Sequence, residues 1–281
     1  MKTYTKLIII LIIGVLLSAC HSDYVHINYK LHHNAVYNED SSQTAFIISK
    51  CAYRPAKGIS RFPDGGIADF LMEETSLYLL DSNNQIEELI KFNDMSKLLG
   101  CFASSWKTNL AFVDSSIYVS VLPVSDWGLY LKNADNKKDS LFIKQLKDKY
   151  SNPFLLDPET KMINNVDTSL LFTIKETALK VDYMTLKHKI DKLPLNTIGI
   201  DIKKIDQKSD QDYIKETIYL KNKSAVTRRA VMEQIISKKS KKDIKNILDK
   251  MDTYKNSLDV DEKSAYIRRS KPIYEELKSM L

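Results

Sequence analysis

Side chains able to do chemistry are scattered thinly along this 281-residue chain, so their types and spacing decide what each could support. Four of the five histidines, His21, His26, His32 and His33, crowd one early stretch. Clustered imidazoles can hold zinc or a similar borderline ion, but zinc sites use set spacings and often draw on cysteines. Only Cys20 lies among these histidines, so the stretch reads as a solvated tether and no metal is expected. His188 is then the one histidine of the body. A triad built on it would need a serine on a strand-to-helix elbow, and no G-x-S-x-G is present. Gly-rich phosphate loops, H-E-x-x-H and C-x-x-C are missing too. Glu73-Glu74, and Asp157 with Glu159, could pair as acid and base for glycoside hydrolysis. With 36 acids in the chain, such pairs arise by chance and read as solvated surface. Asp64-Gly65-Gly66 has the acid-glycine character of a calcium loop, but Ile67, Ala68 and Phe70 cannot ligate where further acids are needed. It reads as a turn. No catalytic, cofactor-binding or metal-ligating residue is expected.

One thiol stands apart. Lys2 and Lys6 precede an apolar run from Leu7 to Leu17, and small residues lead into a cysteine at Leu17-Ser18-Ala19-Cys20. A charged start, a short apolar core and small residues make up a secretory signal. The four final residues resemble the lipobox of bacterial lipoproteins. That resemblance implies a diacylglyceryl thioether on Cys20 and cleavage before it, with 1–19 as signal peptide. The apolar segment is short of the roughly 20 residues that cross a bilayer as a helix. Two or more acyl chains would instead anchor the protein to a membrane. His21, not Asp, follows the cysteine. The resemblance therefore favours the outer over the inner membrane where a cell has both. In such an oxidising compartment Cys51 and Cys101 are expected to pair as a disulfide. Closing a loop of that length stabilises by about 4 kcal/mol on the chain-entropy model.

The elements that must carry these residues fall into blocks. Residues 20–43 are polar and aperiodic, the expected tether. Residues 44–220 read as a β-rich domain and 221–281 as a basic helical region. Ala45-Phe46-Ile47-Ile48 is a short apolar run. Thr75–Leu80, the turn Asp81–Asn84 and Ile86–Phe92 suggest two strands, the second alternatively a short helix. Leu110–Val113 and Ile117–Leu122 about Asp114-Ser115-Ser116 make a hairpin. Thr75–Phe92 and Trp127–Leu146 also resemble β-propeller blades, which implies at least four such units where two are visible. Further strands are expected at Trp127–Leu131, Leu170–Ile174, Thr197–Ile202 and Tyr213–Leu220, and a short helix at Ser140–Tyr150. Ala178–Lys187 reads equally as strand or helix. Tyr53, Phe62, Trp106, Trp127 and Tyr130 could stack on sugars or fill a partner's pocket, or simply build the core.

Beyond residue 221 the apolar period becomes helical. Ser224 can cap a helix to about Ser237, and Ser240 the next. Ile244, Ile247, Leu248, Met251, Tyr254 and Leu258 form its stripe. Acids from Asp259 to Glu262 suit the start of a last helix, which Pro272 kinks or divides. Residues 221–281 hold 16 Lys and Arg against 9 Asp and Glu, a surplus that suits a solvated face or an anionic surface. Strands before helices imply an α+β fold: a β-rich body of antiparallel hairpins, then a helical C-terminal region. The expected role is non-enzymatic, a lipid-anchored lipoprotein binding another envelope component, with no nucleic-acid partner. The alternative is a membrane-tethered hydrolase of an envelope polymer. A solute-binding lipoprotein is a third reading, but two alternating α/β lobes are not visible.

Overall fold

A computed structural model describes residues 24–54, 69–92, 106–123, 153–166, 179–222 and 224–281. The fold is α+β, with antiparallel sheets in the first half and helices after them. One sheet holds β1 (His26–Leu31), β2 (Val36–Tyr37), β3 (Gln43–Arg54), β4 (Asp69–Asp81), β5 (Ile86–Lys91) and β10 (Leu179–Lys180). Its order is β10-β2-β3-β4-β5, with β1 also pairing β3. The other runs β6 (Trp106–Val113), β7 (Ser116–Pro123), β8 (Phe154–Leu156), β9 (Ile163–Asn165).

Local chemistry explains the turns. Asp81 Oδ1 accepts from the backbone N–H groups of Asn83 and Gln85 at 2.9 and 2.7 Å, closing the β4–β5 connection. Asp157 does the same between β8 and β9, accepting from Glu159 and Thr160 at 2.8 and 3.1 Å. β6 and β7 pair along their full length about Asp114-Ser115, with Asp114 at φ 53° in the left-handed region. β4 and β5 are edge partners in a six-stranded sheet, not a propeller blade.

The described residues form two compact units, one of 29–51, 73–92, 106–123, 153–166 and 179–200, the other of 24–28, 52–54, 69–72, 201–222 and 224–281. In the first, Ala45, Ile47, Leu77, Leu79 and Leu89 from one sheet meet Leu110, Ile117, Val119 and Leu156 from the other in a shared apolar core. Alternation along β3 and β4 sends Phe46, Lys50 and Tyr78 to the opposite face. There the segment after α1 (Tyr183–Ile190), a 3-10 turn at Leu195–Ile198, supplies the Ile198 carbonyl to Lys50 and Tyr78.

The second unit is mostly helical: α2 (Ile202–Asp206), α3 (Asp210–Tyr219), α4 (Ala225–Ile236), α5 (Lys241–Ser257) and α6 (Val260–Ser279). Ser224 caps α4 and also donates to the Ile27 carbonyl at 2.8 Å. Ser240 forms a reciprocal capping box with Asp243 at the start of α5. Asp259 caps α6, which continues through Pro272 instead of dividing there. Arg269 reaches from α6 to the Leu220 carbonyl at 2.8 Å, placing a cation at the negative C-terminal end of α3. Among the described residues no helix is long and apolar enough to cross a membrane.

Several expectations need correction. Residues 24–43 are not a free tether: they hold β1 and β2, and Val25, Ile27, Leu31 and Val36 are buried. Among the described residues helix begins at Tyr183, well before 221, and the two units interleave along the chain. Thr197–Ile202 is no strand. Ile198, Ile200 and Ile202 are all buried, but across a 3-10 turn, a left-handed Gly199 and the start of α2. Tyr213–Leu220 lies mostly in α3, capped by Ser209. The ambiguous stretch resolves into β10 and then α1. Phe62–Gly66, Trp127–Leu131, Ser140–Tyr150 and Leu170–Ile174 lie outside the described residues.

Candidate functional site

Cys20, Cys101 and His21 also lie outside the described residues. Cys51 sits wholly buried on β3 with a free thiol in this structure, so its pairing with Cys101 stays a proposal. His188 is exposed on α1. The other described histidines belong to the folded body and go to separate neighbours. His26 stacks on Tyr53, His33 stacks on Tyr183, and His32 hydrogen-bonds Ser49 at 2.8 Å. Ser49 in turn bonds Thr75 at 2.8 Å. A serine and a histidine thus meet, but all three side chains are sealed and the third is a hydroxyl, not the carboxylate of a triad. Tyr53 also packs on Phe70. Trp106 opens β6, while Phe62, Trp127 and Tyr130 fall outside the described residues.

The first concentration of charge surrounds Lys50, 1% exposed at the middle of β3. A strand buried on both faces admits an ammonium only where acceptors meet it. Nζ donates to Tyr78 Oη and to the Ile198 carbonyl, each at 2.9 Å, and Glu74 Oε2 lies 3.4 Å away. Tyr78 hands its own proton to the same carbonyl at 3.0 Å. Glu88 stands 4.0 Å from Nζ and takes a hydrogen bond from Ser76. A β-bulge brings it there. Leu77 faces Ile90 and Tyr78 faces Glu88, so Leu89 is the extra residue that shifts the register. Gly199, at φ 78°, leaves room for the ammonium: a Cβ there would stand 2.4 Å from Nζ. Burial, reinforced by Glu88, pushes the Tyr78 hydroxyl well above its usual range, so it stays protonated. The three ammonium protons face three acceptors and nothing from solvent reaches them. The sealed ammonium fixes strand register, while Glu74 and Glu88 reach the surface at 25% and 37% side-chain exposure, Glu74 pairing there with Lys91.

A second closed cluster lies in the helical unit. Asp206 accepts from Lys208 at 2.9 Å and from Arg54 at 3.4 Å. Glu216 accepts from Lys208 and, at 2.6 Å, from the Asn222 amide. Burial alone would lower the Lys208 ammonium, but the hydrogen bonds it donates to Glu216 and Asp206 outweigh it and raise its pKa. Both carboxylates are nearly inaccessible, at 3% and 6% side-chain exposure.

The open sites are elsewhere. α3 and α5 border a groove of about 460 Å³ floored by Ile214, Ile218 and Tyr254. Tyr219 meets Tyr254 edge-on, centroids 4.8 Å apart, and Tyr254 meets Tyr266 at 5.3 Å. Lys215 and Lys250 are exposed at this groove and no carboxylate lines it. Across α5, a smaller hollow of about 230 Å³ is lined by Met251, Tyr266, Ile267 and Tyr274. Its charges are already matched: Asp252 with Lys255 and the Tyr274 hydroxyl, and Lys271 with Glu275 at 3.9 Å. The Lys255 and Tyr274 contacts hold Asp252 below the ordinary carboxylate range.

Reading Tyr213–Leu220 as a strand hid the larger groove. Ser209 with acids at 210 and 212 was the available sign of a helix start. Lys50 was legible too, as a lone charge within the apolar run from Ala45 to Ala52. No group of three or more metal-ligating side chains occurs among the described residues. Comparison with known proteins found no match to a family model, a curated protein or a solved structure.

Proposed function

We propose that this protein is a lipid-anchored envelope lipoprotein whose folded body binds another envelope component without catalysing a reaction. The observation that carries the anchor is Leu17-Ser18-Ala19-Cys20 behind a short apolar run. Thioether attachment at Cys20 would hold the chain at a membrane, the outer one where there are two. Binding is supported by where charge is spent: the described carboxylate clusters are filled by the chain's own cations, while Lys215 and Lys250 at the open groove are not. A hydrolase of an envelope polymer would need two accessible carboxylates flanking the scissile bond.

The test is the mass of the mature protein extracted from bacterial membranes. A mass above that of residues 20–281, with fatty-acid label lost in Cys20→Ala, is expected. An unmodified mass would end the anchoring proposal. Crosslinking in intact cells should then recover a specific envelope component. Cleavage of a cell-wall glycan by the purified protein would replace binding with hydrolysis. A mobility shift on reduction would support the Cys51–Cys101 bridge, and two titratable thiols would refute it.

A further inference from the structure

We infer that the groove between α3 and α5 holds an acidic saccharide unit, which makes the bound envelope component an acidic polysaccharide. This rests on the binding role proposed above and names the class of partner. Three kinds of group meet there. Tyr219 and Tyr254 offer ring surface, 45% exposed in the case of Tyr219, against which the C–H face of a sugar can lie. Gln211, Thr253 and Ser257 are exposed at the rim. The Gln211 amide can donate to and accept from sugar hydroxyls. The Thr253 and Ser257 hydroxyls, which donate to the Asp249 and Tyr254 carbonyls, can accept from them. Lys215 and Lys250 bring two positive charges to a lining that holds no acid. Lys221 adds a third nearby, its Nζ 5.9 Å from the Tyr219 ring centroid. Asp212 lies close enough to feel Lys215 but does not line the groove.

Charge complementarity therefore asks for an anion, and the concave shape asks for one that enters. A volume of about 460 Å³ falls within the range of small-ligand sites. A flat anionic bilayer would be met instead by lysines on a convex face with apolar residues pointing outward. An acidic peptide would use the lysines but has no need of ring surface flanked by hydroxyl and amide groups.

The experiment is calorimetric titration of the full chain in detergent micelles with trigalacturonate, its neutral methyl ester and triglutamate. Saturable binding of trigalacturonate is expected, with the ester at least about tenfold weaker because charge-assisted hydrogen bonds are lost. Lys215→Gln and Lys250→Gln should each weaken trigalacturonate by about tenfold, and Tyr219→Ala by about fivefold. Lys271→Gln, in the hollow across α5, should leave it unchanged. Rising salt should weaken binding as exposed charges are screened. Absence of saturable binding by trigalacturonate overturns the inference. So does equal binding of triglutamate, or an affinity that neither lysine substitution alters. Any of these leaves the anchor standing, because that is read from the mass at Cys20, and leaves the binding role to the crosslinking result.

Discussion

Lys50 and the pair Lys215 and Lys250 carry the same charge in opposite settings. Around Lys50 the chain supplies a tyrosine hydroxyl, a backbone carbonyl and a carboxylate, bends β5 with a bulge to bring in Glu88, and leaves Gly199 without a side chain. Around Lys215 and Lys250 the groove lining offers no carboxylate at all. Desolvation is the difference. A buried ammonium has lost its water and must be met by the protein, whereas an exposed one keeps its water and can exchange it for a ligand. The contrast assigns Lys50 to stability and the groove lysines to recognition, and substitutions should separate the two.

The largest effect is expected at Lys50. Lys50→Ala removes a fully buried stem and one partner each from Tyr78 and Glu74, which keep the Ile198 carbonyl and Lys91, so denaturant unfolding should show a loss of about 3–5 kcal/mol, most of it from the cavity. Lys50→Met keeps the stem and should lose less. Gly199→Ala should cost about 2 kcal/mol, since it combines a left-handed backbone with a contact on Nζ. The pair Lys50→Met with Gly199→Ala should cost less than the two added, because the colliding nitrogen is gone. Strict additivity would show that Gly199 does not serve the ammonium.

A smaller effect tests the helical unit, where α5 walls the groove. Ser240→Ala breaks the capping box and should cost about 1 kcal/mol by chemical denaturation. The same contact has a pH signature. Hydrogen bonds from the Ser240 side chain and backbone hold Asp243 below its ordinary 3.8. A carboxyl whose folded pKa is depressed binds fewer protons in the native state, so its stabilisation is complete above pH 3.8 and is lost as pH falls through the folded value. Wild type should therefore lose stability more steeply below about pH 4 than Ser240→Ala. Parallel pH curves would remove the capping box from the acid response.

Helix ends were readable because caps are local. Ser224, Ser240 and Asp259 each bond a backbone N–H within their own first turn. The Asp114-Ser115 hairpin was readable for the same reason. Residues 24–43 misled because β1 and β2 mix buried residues with polar ones, His32 included, and their burial depends on strands far along the chain. Ile198, Ile200 and Ile202 alternate like a strand, yet Gly199 at φ 78° turns the backbone between them. Lys50 stood out as a lone charge in an apolar run, but the partners of neither lysine setting were visible. Lys50 finds Ile198 across 148 positions, and the groove joins two helices that are separated in sequence by α4.

The smallest expected effect is the sharpest for the comparison. Lys215→Gln and Lys250→Gln should change unfolding free energy by no more than about 0.5 kcal/mol, as for surface substitutions that break no buried contact. Neither lysine carries an ion pair among the described residues, so no carboxylate is stranded when the charge goes. A loss of 2 kcal/mol or more, on the scale of buried-partner effects, would mean that these ammonium groups serve the fold as Lys50 does. Recognition would then have to be sought elsewhere on the helical unit. Near-zero loss of stability together with the tenfold weakening of trigalacturonate would separate holding the fold together from holding a ligand, one lysine at a time.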